Sequence, residues 1–147
     1  IMLWNAMFTR FLPRPLSSAE FWRDIPPLIG HGENVLRVVV IAMPFLMPLD
    51  LSTADGRRGL ARFALAVSLY FLAWLPLMTS PGSAWSTSAV GVLAPAYTPI
   101  LWLTALGLLG RRLFWRVPYR RWIYLAVAAG FVGVHVAHTY IVYARNY

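Results

Sequence analysis

Two histidines, His135 and His138, lie in a stretch from Trp122 to Ala144 that has no Asp, Glu, Lys or Arg. An ionisable side chain at membrane depth is costly and persists where something uses it or satisfies it. Neutral imidazole carries a lone pair suited to the metal of a haem or a chlorophyll-type pigment. The plainer reading, a neutral histidine hydrogen-bonded to a carbonyl or hydroxyl of an adjacent helix, is favoured by the spacing. A haem held by two histidines needs the second on a facing helix, and the remaining histidine, His31, falls outside the expected spans. His135 and His138 are therefore the candidate cofactor ligands, with single axial ligation open to them, although the sequence requires no cofactor.

Other chemistry is excluded type by type. There is no cysteine, hence no disulfide, thiol nucleophile or thiolate metal site. All 13 basic residues are Arg, which leaves no Lys for a Schiff base. The five acidic residues (Glu20, Asp24, Glu33, Asp50 and Asp55) all precede the second expected span, so no carboxylate pair serves acid–base work in the bundle. No phosphate-binding glycine loop or histidine–glutamate zinc motif appears. Ser68, Thr98 and Thr104 read as hydroxyls bonded back to their own helices. No catalytic residue and no metal-ion site are assigned, and the chain is expected not to be an enzyme. Pro44, Pro48, Pro76, Pro95 and Pro99 are compatible with the broken helices that surround a transport site. With no carboxylate in the second to fourth spans and Asp50 at the end of the first, they read as kinks shaping helices around neighbours.

Two further groups of residues point to partners. Arg111, Arg112, Arg116, Arg120 and Arg121, interleaved with Trp115, suit anionic lipid headgroups or an acidic surface, at about 1 kcal/mol per Arg near the membrane; anchoring topology is the simpler role. Ala126, Gly130, Gly133 and Ala137 fall within about 60° of one another on a helix, a small-residue stripe that lets another helix approach closely. His135 lies about 180° from the start of that stripe.

The elements that must position these groups follow from hydropathy. Phe63 to Gly110 is uncharged, long enough for two spans and the turn at Ser80–Ser88. The expected spans are about 34–51, 60–79, 90–110 and 122–144, forming a transmembrane domain over 34–147. The first is short and contains proline, so it either crosses or re-enters. Residues 1–33 form an interfacial amphipathic arm, with a capping-box helix from Ser17 to about Asp24, a stop at Pro26-Pro27 and a flexible joint at Gly30-His31-Gly32. The fold class is an all-α integral membrane protein.

Arg bias places the loops at 50–62 and 111–121 on the cytoplasmic side of a bacterial inner or intracytoplasmic membrane. The net charge of +8 is read as topology and not as nucleic-acid binding. The expected function is a non-catalytic accessory subunit of a larger respiratory or photosynthetic complex, filling space between subunits and stabilising assembly, lipid or pigment. The alternatives are a haem- or chlorophyll-binding protein using a fourth-span histidine, and a small transporter or membrane enzyme without familiar motifs.

Overall fold

The computed structural model describes residues 8, 11–48, 51–110, 113–114 and 120–147. Among them every regular element is helical: a 3₁₀ turn at Arg14–Leu16, then α1 (Ser18–Phe21), α2 (Pro27–Phe45), α3 (Ala54–Thr79), α4 (Ala84–Thr87), α5 (Ala89–Tyr97), α6 (Pro99–Leu109) and α7 (Arg121–Asn146). Four helical stretches are long and apolar enough to cross a membrane: α2, α3, α5 with α6, and α7. That is the pattern of an integral membrane protein.

The first span differs from expectation. It covers Pro27–Phe45 instead of 34–51, so His31 and Glu33 belong to the helix, and Gly30-His31-Gly32 is a helical turn and not a joint. Pro27 occupies the first helical position, where a missing N–H costs nothing. A ring N–H of His31 bonds the Pro27 carbonyl at 2.7 Å. Two glycines disfavour helix by about 1 kcal/mol each, and the tertiary contacts of Glu33 outweigh that. The 19 residues of α2 rise about 28 Å, close to a bilayer core. At the other end Leu46 and Met47 tighten into bonds with the Met43 and Pro44 carbonyls at 3.0 and 3.1 Å.

Other helix ends differ from expectation for local reasons. Thr53 caps α3 by accepting from the Gly56 N–H at 3.1 Å, so this helix starts before the expected Leu60 and includes Arg57, Arg58 and Arg62. The capping box of α1 is not made: the Ser17 side chain makes no cap bond, and Glu20 pairs with Arg23 at 2.9 Å. The third span is interrupted at Thr98, between the proline inside α5 and the proline opening α6. There the Thr98 hydroxyl donates to the Ala94 carbonyl at 2.8 Å.

The long helices alternate in direction. Near its start α2 meets α7 at His135 and His138, and near its end the Val40 carbonyl accepts the Tyr124 hydroxyl at 3.1 Å, so α2 and α7 are antiparallel. That second bond has a cause in sequence. Pro44 stands four residues after Val40 and has no N–H, which frees the carbonyl; a buried Tyr124 takes it up. Helix α3 packs on α6, while α7 packs on α2, α5 and α6. The core comprises Val40, Tyr70, Trp102, Leu103, Tyr124, Ala128 and Phe131. Gly107 permits the close approach of α6 and α7, since a Cβ there would lie 2.7 Å from the Tyr124 ring. At the end of the bundle that carries the α3–α4 turn, Leu16 from the arm packs with Leu77 and Val92. The turn itself is fixed by buried Ser86, whose hydroxyl donates to the Pro76 carbonyl at 3.0 Å.

Candidate functional site

Glu33 is the centre of the polar cluster, and its side chain is 0% exposed. Helical spacing puts Arg37 one turn further along α2, where its guanidinium donates to Glu33 Oε1. On α7, His135 and His138 are three residues apart and present both imidazoles to the same carboxylate. His135 Nδ1 lies 3.1 Å from Glu33 Oε1, and His138 Nδ1 contacts Oε2. Both histidines share a carboxylate that the sequence did not single out, and His138 has in addition the carbonyl partner expected from sequence, at Phe21. Sequence reading missed Glu33 because it stands one residue before the expected start of the first span. The signal available was a lone Glu with an Arg four residues later, beside the first apolar run.

Hydrogen-bond roles follow from the partners. His138 Nε2 is 2.8 Å from the Phe21 carbonyl, which only accepts, so that nitrogen carries a proton. Both nitrogens of His138 are engaged, and its side chain is 0% exposed. One proton lies between His138 Nδ1 and Glu33 Oε2. Glu33 Oε1 already accepts from Arg37, so the proton it shares with His135 resides on Nδ1. The second ring nitrogen of His135, Nε2, has no hydrogen-bond partner among the described residues, and the side chain is 21% exposed. The two histidines therefore differ: His138 is a structural link from α1 through α7 to α2, and His135 keeps a free lone pair.

The arm closes the cluster from outside. Phe21 lies against His138 with the rings tilted at 32° and centroids 4.1 Å apart, and Trp22 meets the same imidazole edge-on at 4.8 Å. Arg37 lies 5.8 Å from the Trp22 ring centroid, a cation–π contact. Arg145, at the end of α7, donates to the Glu20 and Arg23 carbonyls and ties the arm down. Under it lies a cavity of about 430 Å³, bounded by Leu16, Trp22, Arg37, Tyr70, Trp74, Trp102, Phe131 and His135 among others. That volume lies in the range of small-molecule sites. Phe131 stacks parallel to His135, at 7° and 5.6 Å, and helps hold the imidazole in place. The indole nitrogens of Trp74 and Trp102 are buried without hydrogen-bond partners among the described residues.

The other residues singled out from sequence lie apart from this cluster. Ala126, Gly130, Gly133 and Ala137 are all exposed on the outer side of α7, and a Cβ built on either glycine meets nothing within 4 Å. The stripe is not what packs the chain's own helices. Arg111, Arg112, Trp115 and Arg116 lie outside the described residues; Arg120 precedes α7, and Arg121 reaches back to the Gly110 carbonyl at 3.4 Å. Among the described residues no group of three or more acidic or histidine side chains could hold a metal ion. No protein-family model matches the chain, and no curated protein or solved structure matches it either.

Proposed function

We propose that the chain is a non-catalytic subunit of a larger membrane assembly, and that its own task is to hold a lipid-soluble molecule between its helices. The observation that carries this reading is the cavity of about 430 Å³ with His135 in its wall. Its lining is mostly apolar and aromatic with few polar groups, as in sites that bind by burial and orient by one or two contacts. A membrane offers no water to fill such a space at low cost, so an apolar occupant is favoured. Respiratory and photosynthetic complexes, which take up small helical subunits, are the proposed hosts. The Arg-bearing ends at 50–62 and 111–121 are proposed to face the cytoplasm and anionic lipid.

The outward stripe on α7 supports the assembly half of the reading. Four exposed small residues on one face leave a shallow surface on which another transmembrane helix can lie close. Native mass spectrometry after purification in mild detergent tests both halves. A stoichiometric small molecule and stoichiometric membrane partners are expected. A chain that runs alone and empty refutes the proposal.

A further inference from the structure

Resting on the reading that the cavity holds a lipid-soluble molecule, we infer that the occupant is a flat metallated macrocycle of the porphyrin or chlorin class, whose metal takes His135 Nε2 as its single protein ligand. Three observations point there. In the neutral tautomer with its proton on Nδ1, His135 has a lone pair on Nε2 that meets no hydrogen-bond partner among the described residues, and His135 lines the cavity. Behind the ring stands the Glu33 carboxylate, at 3.1 Å from Nδ1. A carboxylate in that position fixes tautomer and orientation and raises the basicity of the ligating nitrogen. The ring is held besides by Phe131, stacked at 7°.

The rest of the cluster limits what metal could come. His138 has both nitrogens engaged, and no set of three metal-binding side chains exists among the described residues. A bare ion would lack ligands, so the metal must arrive with its equatorial donors already in place. Trp22, Trp74, Trp102 and Phe131 offer aromatic surface to a flat ring, and Arg37 in the same wall offers a partner for an acidic ring substituent. Glu33 is a positioning residue here and His135 the ligand.

The test uses the full chain in detergent, titrated with haem and, separately, with metal-free protoporphyrin. Haem is expected to bind one to one with a shifted Soret band, at least about tenfold more tightly than the metal-free ring. His135→Ala should lose that shift and recover it when imidazole is added, which separates a missing ligand from a misfolded chain. Glu33→Gln should retain haem but raise its reduction potential, because the neutral amide donates less electron density through the imidazole. Equal binding of both rings, or a Soret band unmoved by His135→Ala, overturns axial ligation. If neither ring binds while another apolar molecule co-purifies, the macrocycle is refuted and the lipid-soluble-ligand reading stands. If nothing binds or co-purifies, both fall.

Discussion

Glu33 gives the sharpest test of the structure, because its two obvious substitutions should behave very differently. The carboxylate is fully buried and receives Arg37, His135 and His138. Glu33→Ala removes the acceptor for all three and leaves buried donors and a guanidinium without a counterpart. Breaking a buried charged cluster from one side costs about 3–5 kcal/mol. Glu33→Gln keeps one oxygen for Arg37 and His135. Its amide N–H₂ then faces His138 Nδ1, which can accept, because His138 Nε2 already donates to the Phe21 carbonyl. Every bond survives with a neutral amide in place of the carboxylate, and charge-assisted bonds are roughly twice as strong as neutral ones. The expected cost is therefore about 1–2 kcal/mol. Equilibrium unfolding in dodecyl sulfate mixed micelles reads both variants. If Glu33→Ala is as stable as the parent, or Glu33→Gln is as damaging as Glu33→Ala, the hydrogen-bond assignment around His138 is wrong.

Further expectations concern other parts of the bundle. Tyr124→Phe should cost about 1–3 kcal/mol in the same assay, since it leaves the Val40 carbonyl, freed by Pro44, without a donor; a neutral result would mean that another group fills that role. Gly107→Val should destabilise by about 1–3 kcal/mol through collision with the Tyr124 ring. Gly130→Val, with open space around it, should leave the isolated chain unchanged and weaken co-purification of a partner helix, which pull-down from native membrane measures. Arg145→Ala should release the arm from the end of α7, seen as faster tryptic cleavage at Arg23, whose carbonyl Arg145 holds. Unchanged cleavage would show that the Phe21 and Trp22 contacts hold the arm without it.

Much of the architecture is written in local sequence. Long uncharged runs permit only helices in a bilayer, because each backbone polar group must be satisfied within its own segment. Prolines at 95 and 99 mark the interruption of the third span, and the hydroxyl-rich Ser80–Ser88 segment marks a turn. Helix ends were less legible. Pro27 opens α2 ahead of two glycines that favour a joint on propensity alone, and the helix extends there because Glu33 is anchored from α7, 102 residues away in sequence.

Sequence by itself determined the class of protein, the number of long apolar helices and the absence of thiol and lysine side chains, since these depend on composition and hydropathy alone. It also singled out His135 and His138 as costly groups in need of partners. Only the tertiary structure decided which partners they have and how the two differ. Both imidazoles turn to one carboxylate on the antiparallel α2, yet only His138 also bonds the arm, at the Phe21 carbonyl, while His135 lines the cavity with no second hydrogen bond among the described residues. The same packing turned the small-residue stripe of α7 outward, because a helix whose opposite side is occupied by Glu33 and the core has only that face left to offer.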